Sequence, residues 1–406
     1  MVNYVFLSVY FYSVPNLRFS NPYKLRKVRL GDICTITGGY AFDSHKMKQQ
    51  GEYQIIKMGN LYNGIFDLSR NQSFINAPTK KELEYLIQKN DILITLTGTT
   101  NKKDYGYTVQ IEKPKKLLLN QRCALIRASK VNEKYLFYLL NSNDFLKQFY
   151  ASSTGGTGNQ TNVSINDMLD FKVYISNEND QLKISNILNA LDKKISTQIK
   201  IINDYKMLKK SIVERIISTT DISWNKYSFK DIFRERKEFH VKDGTIIHAT
   251  LSKEGIYPKT DRYDRDFLVK DEDKKYKVSY LNDICYNPAN LKFGVITRND
   301  YGKCIVSPIY VTYMVNPGFN PKFIELFVTR TAFLKEIRRY EQGTVYERMA
   351  VSSDDFLTFE TKLPNVEVQN DIVDNIDMLD KKITQEQEYL ELLDKQKDYL
   401  LSNMFI

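Results

Sequence analysis

Tyr286-Asn287-Pro288-Ala289-Asn290 comes nearer than any other stretch to a catalytic signature, the Asn-Pro-Pro-aromatic motif that grips a flipped adenine. It lacks the second proline and the stacking aromatic, and no glycine-rich cofactor loop accompanies it. Three histidines, His45, His240 and His248, stand at no metal-ligand spacing, and a lone histidine is usually structural. The Gly-rich run STGGTGNQTN (152–161) lacks the Gly-Lys-Ser/Thr ending of a phosphate-cradling loop and reads as a flexible turn. Asp271-Glu272-Asp273-Lys274 could mimic a nuclease carboxylate cluster, but without an ordered partner motif it reads as a solvated loop. Cys34, Cys123, Cys285 and Cys304 are scattered and read as reduced, buried thiols rather than zinc ligands or disulfides. No catalytic or metal set emerges.

The remaining chemistry is that of binding. Lys57 and Asn60 flank the turn GNLYNG, and Asn101, Lys102, Lys103 and Tyr105 follow the turn TGTT. Asn120-Gln121-Arg122 precedes a strand, and Asn159 and Gln160 close the Gly-rich loop. The second half supplies Arg262, Arg265, Lys292, Arg298, Tyr346 and Arg348. Arg and Lys can bond guanine, Asn and Gln can bond adenine, and Lys anchors on phosphate. Any one of them could be ordinary exposed surface. As a population in a chain of net charge +10 they favour a nucleic-acid face.

The elements that must position these residues occur twice. LDKKI stands at 191–195 and again at 379–383, an offset of 188. At that offset Phe145-Leu146-Lys147 matches Phe333-Leu334-Lys335, and VSINDMLDF (163–171) matches VSSDDFLTF (351–359). Asn90-Asp91-Ile92 resembles Asn282-Asp283-Ile284, and LGDI (30–33) resembles FKDI (229–232), at slightly larger offsets. A chain of 406 residues exceeds one core, and 42% hydrophobic content can fill two. The chain is a tandem duplication.

Each copy ends in a long helix. Ile184, Leu188, Leu191, Ile195, Ile199, Ile202, Tyr205, Leu208, Ile212 and Ile216 recur at spacings of three and four, with no Pro or Gly between. The second copy runs Ile372, Ile376, Leu379, Ile383, Leu390, Leu393, Leu400 and Met404. Each helix would extend roughly 58 Å, and so narrow a seam on so long a helix calls for another helix. Residues 180–218 hold 8 Lys/Arg against 4 Asp/Glu, whereas 368–406 hold 4 against 9. Opposite net charges of +4 and −5 suit the two helices to pair, leaving +11 for the rest of the +10 chain.

Before each helix, strand-like runs such as DILITLTG (91–98), CALIRA (123–128) and IYVTYMV (309–315) alternate with turns, and a short helix follows (133–150; 321–340). The fold expected is α/β: two globular mixed α/β recognition domains, 1–179 and 219–367. They are separated by long spacer helices, 180–218 and 368–406, packed as an antiparallel coiled coil with pseudo-two-fold symmetry. The apolar start MVNYVFLSVYFYSVP has no Lys or Arg before Arg18 and is too short to span a bilayer, so it reads as a buried strand or an upstream extension. A soluble, cytoplasmic protein without membrane contact is expected.

GDICTITGGYAF, YQIIKMGNLYNG, NDILIT, GTGNQTNVSINDMLDFKV and QLKISNILNALDKKI, with the weaker second set from VSSDDFLTF to LDKKI, resemble the DNA specificity subunits of Type I restriction–modification enzymes. The resemblance covers about 28–406 and is weaker in the second half. It implies that each globular domain reads one half of a split site in double-stranded DNA. Two methyltransferase subunits would dock on the helices, and ATP-dependent motor-nuclease (restriction) subunits would complete the complex. The chain would carry no cofactor, with S-adenosylmethionine, ATP and Mg belonging to the partner subunits, and no catalysis of its own. A stand-alone DNA methyltransferase or nuclease with a built-in recognition domain, or a coiled-coil adaptor, are the competing readings.

Overall fold

The computed structural model describes residues 25–155, 159–218, 224–259, 275–342 and 350–405. Two compact units result, residues 1–198 with 389–406, and residues 199–388, so each long helix is divided between them. Among the described residues no helix is long and apolar enough to cross a membrane. The opening segment discussed above lies outside the described residues.

In the first unit an antiparallel sheet orders Cys34–Gly38, Cys123–Ala128, Ile92–Thr95 and Thr108–Gln110. Ile92–Thr95 is buried at every position, as a strand covered on both faces must be. A second sheet joins Phe74–Ile75, Tyr53–Ile56 and Leu117–Leu119, the last two pairing parallel. A third joins Thr154–Gly155, Gln160–Asn162 and Thr97–Thr99. The expected single helix over 133–150 is two, Glu133–Leu139 and Asn143–Ala151. Ser142 breaks it, because its hydroxyl accepts from Phe145 N and caps a new helix.

The second unit repeats the frame. Phe233–Glu235, Val311–Val315, Ile284–Tyr286 and Ile296–Arg298 form its antiparallel sheet over a core of Phe229, Tyr286, Tyr313, Phe333 and Phe356. Its short helix is likewise split, into Pro321–Val328 and Thr331–Ile337.

The duplication holds at the level of individual hydrogen bonds. Gln181 accepts from Asn132 N at 3.0 Å and donates to Ser176 O at 2.8 Å. Gln369 accepts from Asn320 N and donates to Pro364 O, both at 2.9 Å. Asp91 takes Arg127 and the backbone N–H of Gln88, as Asp283 takes Arg236 and that of Tyr280. The preceding Asn90 and Asn282 are both left-handed, at φ 69° and 72°. These turns explain why Asn-Asp-Ile recurs: Asn tolerates the left-handed backbone, and Asp caps the turn and holds an arginine.

The long helices run Glu178–Ser218 and Val366–Met404. In the first unit Asp192 meets Lys397 at 2.8 Å and Lys194 lies over the Tyr389 ring at 5.3 Å. In the second, Lys209 meets Asp380 at 2.5 Å, and Lys382, held protonated chiefly by Glu386, is near enough to Tyr205 for a weaker charge effect. In both units the two helices therefore run antiparallel. Ile184, Leu188, Leu191, Ile202, Ile376, Ile383 and Leu393 are buried, and Ile195, Ile372, Leu379 and Leu390 half-buried. Ile199 and Leu208 are corrections. They are 45% and 49% exposed, the helix turning Gln198 inward and leaving Lys209 half-buried instead. Past that point Val213 and Ile217, rather than Ile212 and Ile216, are the fully buried positions.

Candidate nucleic-acid interface

In the first unit, backbone hydrogen bonds string the candidate loops together. Asn120 N donates to Ile56 O, beside Lys57, and Leu96 N donates to Arg122 O. Val163 N donates to Leu96 O, and Thr100 N to Asn159 O. The strand Thr97–Thr99 pairs with Gln160–Asn162, setting Gln160 opposite Thr99. Four segments distant in sequence, about 57, 100–103, 121–122 and 159–160, are thus connected.

The 99–104 loop is built to display its tip. Asp104 accepts from both the backbone N–H and the hydroxyl of Thr99, each at 2.7 Å, and Lys102 N donates to Thr99 O. Asn101 takes the left-handed turn at φ 63°. Gly98 is required beneath, since a Cβ there would stand 2.3 Å from the Tyr105 ring. Asn101, Lys102 and Lys103 are left exposed, and Lys103 lies 5.3 Å over the Tyr150 ring. The Thr99 N–H holds the Asp104 carboxyl below the usual carboxylate range, against a smaller opposing effect of desolvation. Gln121, Arg122, Asn159 and Gln160 are also exposed.

Three candidates do other work. Asn60 is fully buried, accepting from Lys57 N and donating to Asp67 O and Arg70 O, so it folds the 58–64 turn and offers nothing outward. Tyr105 is 3% exposed and sits in the core beneath the loop, where Tyr150 donates to its carbonyl. Arg298 is spent on Glu325 at 3.1 Å and Asn282 at 2.9 Å. Lys57 donates to Ser73 Oγ at 2.6 Å and is only partly available.

In the second unit Val351 N donates to Pro288 O, as Val163 N does to Leu96 O. Where the first unit has its strand, a short 3-10 helix, Pro288–Phe293, follows, capped by Asn287 and ended by left-handed Gly294 at φ 83°. It presents Lys292, 3.8 Å from Glu341, and Phe293, which is 57% exposed. Gln342 bridges Ala350, as Thr154 pairs with Asn162 in the first unit. Arg262, Arg265, Tyr346 and Arg348 lie outside the described residues.

Phe293 and Tyr62, the latter 53% exposed with the Arg70 guanidinium 5.1 Å over its ring, were missed as candidates. Their signal was an aromatic beside a turn glycine, in NLYNG and LKFG. Among the described residues no three His, Cys, Asp or Glu side chains gather to hold a metal.

On turns fixed by backbone bonds, the first unit thus displays Asn, Gln, Lys and Arg, and the second Lys292 and Phe293, residue types able to contact nucleic acid. Residues 22–204 match the family model of the Type I restriction modification DNA specificity domain. Solved structures extend the likeness over the rest of the fold. The Type I restriction–modification system S subunit from M. genitalium is 14% identical with a TM-score of 0.51, covering 97% of this chain and 99% of its own. A chain from a structure on complex assembly and conformational transition of the type I R-M system is 13% identical at TM-score 0.58, covering 94% and 98%. No curated protein matches the chain. The chain is therefore similar to the Type I restriction modification DNA specificity domain over residues 22–204 and shares the fold of the solved S subunit structure along nearly its whole length.

Proposed function

We propose that each unit reads one half of a two-part target in double-stranded DNA, the first through Asn101, Lys102, Lys103, Gln121, Arg122, Asn159 and Gln160, the second through Lys292 and Phe293. The domain limits that fit this division are 1–179 and 219–367, with helices 180–218 and 368–406 as spacer. Two methyltransferase subunits dock on the helices, motor-nuclease subunits complete the complex, and S-adenosylmethionine, ATP and Mg act in those partners, in the cytoplasm. The observation that carries this reading is the matched placement of the two loop sets. Val163 to Leu96 and Val351 to Pro288 anchor different side chains on the same frame, as two readers of unlike half-sites require. Fluorescence anisotropy with random-sequence duplex tests DNA binding. Affinity should fall steeply and linearly with log salt as condensed counterions are released, and a flat salt response would count against it.

A further inference from the structure

In the second unit a cleft of about 430 Å³ opens between the long helices, the helix Pro321–Val328 and the turn of the hairpin Ala249–Leu251/Ile256–Pro258. Its charges divide into two groups. Arg298 is bound to Glu325, and Lys209 and Lys322 share Asp380, so these cations are already compensated. Lys206, Lys210, Lys253 and Arg330 line the same cleft, and no carboxylate among the described residues lies within ion-pair distance of them. Of the lining acids, Glu214 accepts from Thr331 N and Glu254 from Ser252, while Asp300 adds one more negative charge.

Arg330 is the informative member. Its Nε donates to Phe327 O at 3.2 Å and its guanidinium lies 4.4 Å over the Phe327 ring, which fixes the planar group at the cleft wall. Burial pulls its pKa down, with Glu214 and Glu336 opposing more weakly. A cation partly withdrawn from water without a hydrogen-bonded anion is held at a loss, and three further lysines facing it add repulsion. An oxyanion with several acceptor oxygens relieves both, through charge-assisted bonds to a fixed guanidinium fork. The apolar lining is Val213 and Leu326, with no aromatic face on which a base could stack, so the fit is to phosphate groups alone.

The duplication supplies a control. At an offset of 188 the places of Lys206, Lys210 and Arg330 are taken in the first unit by Asp394, Asp398 and Ser142. Whatever the cleft binds, it binds in one unit only. We propose that the cleft lined by Lys206, Lys210, Lys253 and Arg330 is an anion site for phosphate groups, present in the second unit and deleted from the first.

Isothermal titration of the full chain with pyrophosphate, against sodium chloride at matched ionic strength, tests this. One saturable site is expected, weakened about ten-fold or more in Arg330→Gln, the equivalent of about 1.4 kcal/mol. Lys206→Gln with Lys210→Gln, both exposed and free of packing duties, should weaken it similarly with unchanged circular dichroism. The source of the phosphate is read from the same variants. If duplex affinity and its salt slope fall together with pyrophosphate binding, the site serves the DNA backbone; if they hold, it serves a free polyphosphate. No saturable binding by the native chain, or equal binding by both variants, overturns the proposal.

Discussion

Asp192 receives Lys397 at 2.8 Å, and the pair has a twin: 188 positions after Asp192 stands Asp380, and 188 before Lys397 stands Lys209, which meet at 2.5 Å. A single ion pair is thus written twice, once in each unit, with the donor and acceptor helices exchanged. Only antiparallel pairing of two equivalent helices gives that reciprocity.

These pairs are about one-third exposed, so each contributes modestly, about 0.5–1 kcal/mol. A double-mutant cycle with Lys209→Gln and Asp380→Asn should return that coupling at low salt and less in molar salt, read by denaturant unfolding. A coupling of zero at low salt would show that the geometry is not held in solution.

Gln369 and Gln181 should matter more than the ion pairs. Each is buried and satisfies a backbone N–H and a backbone carbonyl from two different segments. Gln369→Ala leaves both groups without partners and should cost about 1–3 kcal/mol, with Gln181→Ala costing a similar amount. Thermal unfolding of the two variants checks this, and a near-neutral Gln369→Ala would contradict it.

Much of this frame was legible in the sequence because its signals are local or repeat at a constant offset. LDKKI, VS…D…L…F and Asn-Asp-Ile each mark a seam, a cap or a left-handed turn, where residue type and backbone are tightly tied. Ile199 and Leu208 were misread because an apolar residue one step off a seam keeps nearly the right spacing, and the inward place went to Gln198 or Lys209. Asn60, Tyr105 and Arg298 were misread for a different reason. Sequence shows that a side chain can bond a base, but Asp67, the core and Glu325 had already engaged them, and those partners are set by tertiary structure.

Arg298 and Lys102 should therefore separate. Lys102→Gln should lower the salt slope of DNA binding by about one with little loss of stability, as for a phosphate contact. Arg298→Gln should leave the slope unchanged and lower the melting temperature, because Glu325 loses its charged partner. Anisotropy titrations at several salt concentrations, with melting curves, distinguish them.

Asp104 ties the first unit's loop to pH. Its carboxyl is held below the ordinary value of about 3.9, chiefly by the Thr99 backbone N–H, so the loop's stabilisation is fully present above that value. It is lost as pH falls through the lowered value, and Asp104→Ala should remove it at neutral pH. Hydrogen exchange at residues 99–104 should quicken in the variant, and unchanged protection would contradict the role.

The central claim, that two units read two half-sites independently, is tested most directly by sequencing methylated DNA from cells whose restriction–modification complex carries Asn101→Ala with Gln160→Ala. The expected motif has one half relaxed at one or two base pairs, each lost contact being worth about 1–3 kcal/mol, and the other half and the spacer unchanged. A motif altered in both halves, or in neither, would contradict it.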